Sequence, residues 1–81
     1  MRHDFTPKFA KSYYSLPGNI QSKFNKQLGY LLNNIRHPSL RAKKYIESSG
    51  VWQARVDDNV RFYFKIEGDI YILIDIKNHP K

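Results

Sequence analysis

From Trp52 to His79 the chain alternates between two chemistries, and that alternation constrains its fold more than any other feature. Even positions include Trp52, Ala54, Val56, Val60, Phe62, Phe64, Ile66, Ile70, Ile72, Ile74 and Ile76. Odd positions include Arg55, Arg61, Tyr63, Lys65, Tyr71, Asp75 and His79. Successive side chains of a β-strand point to opposite faces, so this period predicts a sheet with one apolar face and one basic, aromatic face. Asp57-Asp58-Asn59 and Glu67-Gly68-Asp69 are turn clusters. They divide the stretch into strands at Val51 to Asp57, Val60 to Ile66 and Ile70 to Ile76. Such short connections make the three strands antiparallel neighbours.

An apolar sheet face needs a cover, and the first half of the chain supplies it. Phe9, Tyr13 and Leu16 fall on one side of a short helix. Leu16-Pro17-Gly18 breaks that helix. Ile20, Phe24, Leu28, Leu31, Leu32 and Ile35 form the stripe of a longer one, with Lys23, Lys26 and Asn33 mostly outside it. Arg36-His37-Pro38-Ser39 ends it, because the residue before a proline is pushed out of the α region. His3 to Thr6 reads as a short edge strand. Leu40 to Gly50 reads as a loop with at most one helical turn. The expected architecture is α+β: a two-layer sandwich with a short N-terminal strand and two helices on one face of an antiparallel sheet ending in a three-strand meander. Ile72, on the even face, is expected to be core, so Ile72→Asp should unfold the domain while Lys65→Ala should not.

With 81 residues, the chain has room for one domain spanning residues 1–81. It has no cysteine, so neither a disulfide nor a thiolate metal site supports it, which fits a reducing cytoplasm. Lys and Arg number 14 against 7 acidic residues, a formal charge of +7. Such a surplus on a small domain points to an anionic partner: nucleic acid, a ribosome or an acidic protein. Met1 to Lys11 holds charges and no long apolar run, so neither a secretory signal nor a membrane span is expected there. His3, His37 and His79 lack supporting cysteines or paired carboxylates, and the four glycines have no phosphate-loop spacing. No metal and no cofactor is expected.

The polar sheet face carries the candidate chemistry. Arg55 and Arg61 flank one tight turn with the same parity, so they sit close in space. Arginine presents a permanently charged planar fork that matches phosphate. His79 keeps that parity if the last strand extends so far, and an imidazole can give or take a proton near neutral pH. Two cations and a proton donor suffice for metal-independent RNA cleavage, in which the substrate's own 2′-hydroxyl is the nucleophile. Tyr63 and Tyr71 are candidates to stack on bases of a single strand. Each residue also has a structural alternative. Either arginine can pair with Asp57, Asp58 or Asp75, the tyrosines can serve the sheet alone, and His79 can belong to a fraying end.

Four segments in order carry a family resemblance: His37-Pro38-Ser39-Leu40-Arg41-Ala42-Lys43-Lys44, Gly50-Val51-Trp52-Gln53-Ala54-Arg55-Val56, Val60-Arg61-Phe62-Tyr63-Phe64 and Ile74-Asp75-Ile76-Lys77-Asn78-His79. Together they resemble the RelE/ParE superfamily of toxins from bacterial toxin–antitoxin systems. The resemblance implies a small cytoplasmic toxin neutralised by a cognate antitoxin. RelE-like members cut mRNA, commonly on the ribosome and without metal, and their site maps onto Arg55, Arg61 and His79. Arg41, Lys43, Lys44 and Lys65 are the cations expected to contact RNA, with Tyr63 and Tyr71. ParE-like members share the fold but inhibit DNA gyrase, and an inactive antitoxin-binding relative is a third possibility. The chain departs from the pattern at Gln53, which is basic in some ribonuclease members. It also departs at Pro80 and Lys81, which follow His79 where many members have an aromatic residue. Glu47 lies near, but out of register with, the general base of some members.

Overall fold

The computed structural model describes residues 1–79. Pro80 and Lys81, which stand in place of the terminal aromatic, lie outside the described residues. Strand β1 (Arg2–Phe5) leads into helix α1 (Pro7–Tyr14) and helix α2 (Gly18–Asn33). A 3₁₀ turn at Pro38–Leu40 precedes strand β2 (Lys43–Ile46), and a second at Glu47–Ser49 precedes β3 (Val51–Arg55), β4 (Val60–Glu67) and β5 (Ile70–Asn78). The five strands form one sheet in the order β1-β5-β4-β3-β2. The expected α+β sandwich is therefore present, with two refinements. The sheet is mixed, because β1 runs parallel to β5. The segment read as a loop contains the edge strand β2, antiparallel to β3.

Local chemistry explains the helix boundaries. Thr6 caps α1: its Oγ1 accepts the Phe9 N–H at 3.1 Å, and Pro7 opens the helix where no intrahelical donor is needed. Pro17 stands at the cap of α2 with no side-chain acceptor. Gln21 tightens the junction instead, donating from Nε2 to the carbonyls of Tyr13 and Leu16 at 3.0 and 3.3 Å. Phe9 and Tyr13 of α1 and Phe24, Leu28 and Leu31 of α2 point onto the sheet. They meet Ala54, Phe62, Phe64, Leu73 and Ile76 in a single core. Phe24 packs edge-on against Phe62 with ring centroids 5.1 Å apart.

The alternation holds through β3 and β4 and fails in β5. Tyr63 pairs with Asp75, but Phe64 pairs with Leu73, so Ile74 is an extra residue in β5. Such a bulge reverses the facing of everything beyond it. Ile76 lies on the core face, yet so do Leu73 and Tyr71, at 0% and 5% exposure, and not Ile72. Ile72 pairs with Lys65 and with Asp4 on the opposite face, which corrects its assignment to the core. Backbone groups around the bulge are satisfied by the start of the chain. The Thr6 N–H donates to the Leu73 carbonyl at 3.0 Å, and the Thr6 hydroxyl donates to that of Ile74 at 3.3 Å. Among the described residues, no helix is long and apolar enough to cross a membrane.

Candidate functional site

Strand register places cations in rows on the face away from the helices. Arg55 is directly opposite Arg61, and Arg61 is opposite Lys77. The adjoining row runs Lys43, Gln53, Tyr63, Asp75 across β2 to β5. Directly opposed like charges destabilise a sheet, so the first row needs local compensation. The Arg55 guanidinium pairs with Asp58, the alternative raised for it from sequence, while Arg61 donates to the backbone carbonyls of Asp57 and Val60. Both acceptors are neutral, and the Arg61 charge has no carboxylate partner among the described residues.

Asp57 is occupied elsewhere. Its Oδ1 accepts the N–H groups of Asn59 and Val60 at 2.8 and 2.9 Å, and Oδ2 lies 3.4 Å from the Lys23 ammonium. Burial pushes this carboxyl up, but the two N–H groups and Lys23 outweigh it and hold its pKa below the ordinary value of 3.8. A depressed carboxylate stabilises the fold above its unfolded pKa, and that contribution is lost as pH falls through the folded pKa. Asp57→Ala should therefore cost roughly 1–2 kcal/mol at pH 7. The difference from wild type should shrink toward pH 3, and urea melts at the two pH values measure it. An equal cost at both would show that the charge contributes nothing.

The β3–β4 turn also positions His79. Its backbone N–H donates to the Asn59 carbonyl at 2.7 Å, drawing the residue after β5 against the turn. The result is a cavity of about 200 Å³ lined by Arg41, Lys43, Gln53, Arg55, Arg61 and His79. Arg41 reaches it because its backbone is left-handed, with φ of 47°, at the bend between the 3₁₀ turn and β2. Few non-glycine residues adopt this conformation. Buried Gln27 braces the same region from α2. Its Nε2 donates to the Ser39 carbonyl at 3.1 Å and to the Arg55 carbonyl at 2.8 Å. A polar residue on the buried side of a helix gave no periodic signal in the sequence.

Arg55, Arg61 and His79 thus converge, and Arg41 and Lys43 join them. The other expected contacts do not. Tyr71 is 5% exposed and packs edge-on against Phe64 in the core, because the bulge turns it toward the helices. Lys44 points to the opposite face from Lys43, with its ammonium 5.3 Å from the Trp52 ring centre. Lys65 shares the cation face but lies beyond the cavity lining. Tyr63 faces the right way but is 5% exposed, flanked by the Tyr45 ring at 5.0 Å and the Lys77 ammonium at 5.3 Å. It is a packed residue rather than a free stacking platform. Burial, with Tyr45 and Asp75, raises its pKa against the opposing effect of Arg61, so the phenol stays protonated at neutral pH.

Tyr45 carried no role in the sequence reading, and Gln53 stood there only as a departure from the family pattern. Tyr45, half exposed on β2, covers Tyr63; reading Lys43 to Ile46 as a strand would have placed it beside Lys43. Gln53 is 6% exposed, and its Oε1 is buried without a hydrogen-bond partner among the described residues. An orphaned buried carbonyl costs about 1–3 kcal/mol.

Solved structures share this arrangement of strands and helices. A YoeB/ParE toxin from Agrobacterium tumefaciens superposes with a TM-score of 0.82 at 15% identity, covering 99% of this chain and 100% of that one. The chain has the RelE/ParE toxin fold. The RelB–RelE antitoxin–toxin complex from Methanococcus jannaschii matches this toxin fold with a TM-score of 0.74 at 20% identity, over 91% of this chain and 87% of that one. YafQ from E. coli strain BL21(DE3) matches at 0.78 and 14% identity, over 98% and 94%. No protein-family model and no curated protein matches the sequence.

Proposed function

We propose that the chain is the toxin of a type II toxin–antitoxin system and cleaves mRNA in the cytoplasm, with the ribosome as the place of attack. The observation that carries the cleavage reading is the convergence of Arg55, Arg61 and His79 on one cavity that Arg41 and Lys43 also line. In this reading Arg55 and Arg61 hold the scissile phosphate and balance the charge that grows on it. The 2′-hydroxyl attacks phosphorus, the bond to the 5′-oxygen breaks, and His79 gives that oxygen its proton. Among the described residues no carboxylate lines the cavity, and in this reading the 2′-proton leaves to water. The products are a 2′,3′-cyclic phosphate and a free 5′-hydroxyl. An acidic antitoxin segment lying across Arg41, Lys43 and Arg61 would neutralise the toxin and bind in a salt-sensitive way.

Expressing the chain with and without its adjacent open reading frame tests this. Growth should stop only when the chain is expressed alone, and mapped mRNA ends should carry the cyclic phosphate. Arrest with whole mRNA and impaired supercoiling would instead identify gyrase as the target. Continued growth would point to an inactive antitoxin-binding relative.

A further inference from the structure

Trp52 is the only tryptophan of the chain, and the cation cavity leaves it unused. It comes from β3 on the side of the sheet that carries the helices, in a row with Phe64 of β4 and Lys44 of β2. The Phe64 ring lies nearly parallel to it, 15° off with centroids 6.2 Å apart. On its other flank the Lys44 ammonium sits 5.3 Å from the ring centre. Lys44 is exposed, and salt and water compete for such a contact. One flank of Trp52 is therefore held only by a long, exposed side chain.

Trp52 lines a cavity of about 380 Å³, against about 200 Å³ for the cation cavity. That volume falls in the range of roughly 300–1,000 Å³ that encloses small organic ligands. The segment leaving α2 builds part of the wall from Ile35, Arg36 and Pro38. His37 belongs to the same wall and is fixed there. Its ring stacks on that of Tyr30 with centroids 3.8 Å apart, and its Nδ1 accepts the Ser39 N–H at 3.2 Å. A wall already fixed does not have to be ordered when a ligand binds. The lining is mainly apolar, its permanent charges are the exposed Arg36 and Arg41, and no carboxylate lines it among the described residues. A flat apolar body carrying negative charge meets those terms, and a nucleobase with its phosphate is such a body.

Arg41 decides how that nucleotide arrives. It lines this cavity and the cation cavity alike, set between them by its left-handed backbone. Two cavities that share one guanidinium are adjacent. A strand whose phosphate lies with Arg55 and Arg61 therefore passes Arg41 on its way to Trp52. A base stacked on an aromatic ring gains more than an exposed ammonium does there. The base thus displaces Lys44 and leaves its ammonium to turn to a phosphate.

We infer that the cavity beside Trp52 is a base-stacking subsite for the nucleotide that flanks the one held in the cation cavity, in the same RNA strand. This rests on the RNA-cleaving reading and adds a contact on the helix side of the sheet. It also gives Lys44 a place on the substrate, although that side chain points away from the cation cavity.

Because Trp52 is the sole tryptophan, its fluorescence reports on this site alone. The probe is a single-stranded RNA hexamer with every ribose 2′-O-methylated, which removes the nucleophile and so prevents cleavage. Its binding to the wild-type chain should quench Trp52. A hexamer of the same backbone without bases should bind, as seen by anisotropy of a terminal dye, and leave the emission unchanged. A free nucleoside monophosphate should quench only at concentrations about a hundredfold higher, since it lacks the second foothold. Trp52→Leu, shown to be folded by circular dichroism, should bind the hexamer about tenfold more weakly and the base-free one as before. Should that variant fail to fold, the wild-type emission decides alone. Emission unmoved by a bound hexamer, or quenched equally by the base-free one, overturns the inference. So does quenching by the monophosphate at the hexamer's own concentrations. A response to the product of the adjacent open reading frame with none to RNA also overturns it and makes the cavity a protein's. Mapping of mRNA ends judges the parent reading separately. Cyclic phosphate ends with no quenching would remove only the stacking subsite, and quenching with whole mRNA would keep the subsite and remove cleavage.

Discussion

Arg61→Ala should abolish growth arrest and lower mRNA cleavage by about a hundredfold to a thousandfold, the usual cost of removing one donor aimed at developing charge. The fold should survive. Arg61 is partly buried, and its guanidinium serves two backbone carbonyls, of Asp57 and Val60, at the turn. Losing such bonds costs on the order of 1 kcal/mol, offset in part by relief of its repulsion with Arg55 directly across the strand pair. Arg55 should behave differently. It is tied to Asp58, so Arg55→Ala frees a carboxylate beside the cavity as well as removing a cation. A folded Arg61→Ala variant that still stops growth and still fragments mRNA would rule out the proposed phosphate contact.

Leu73→Asp should unfold the domain, whereas Ile72→Asp should leave it folded. Leu73 is fully buried against Phe5 of β1 and Phe64 of β4, its register partners. A charge there would have no partner and no water, and changes of this kind cost several kcal/mol, a large share of what a small domain has. Ile72 is only partly buried, between Lys65 and Asp4 on the cation face, so an aspartate there keeps contact with water. Circular dichroism melts of the two variants distinguish the registers. If Ile72→Asp were the one that unfolds, the bulge at Ile74 would be absent from the folded protein.

These two experiments mark where the sequence was legible and where it was not. Arg55 and Arg61 could be placed together because β3 and β4 alternate cleanly and the connection between them is short. Parity around a tight turn is enough to locate a cross-strand pair. In β5 the pattern is ambiguous, since Tyr71 and Leu73 are as able to enter a core as Ile72 and Ile74. One extra residue, accommodated by Thr6 from the far end of the chain, decides between them. A long-range hydrogen bond of that kind leaves no local mark. The edge strand β2 escaped notice for the opposite reason. Lys43, Lys44, Tyr45 and Ile46 are all exposed, so no buried face imposes a period, and charge on an edge strand is a common guard against stray pairing. Gln27 and Gln53 were unreadable as buried residues because their burial depends on what surrounds them, not on their own polarity.

The parallel pairing of β1 with β5 also says when the cavity can be complete. β5 is the last strand to be synthesised, yet it lies between β1 and β4 in the finished sheet. Until residues 70 to 78 emerge, β1 has no strand to pair with. His79 follows directly after that strand, so among the described residues the last one to line the cavity arrives just behind the strand that completes the sheet. Contacts this distant along the chain form late in folding. The cavity is thus complete only after β5 has been made and the sheet has closed, and any ligand or partner that needs the whole cavity must wait for that step.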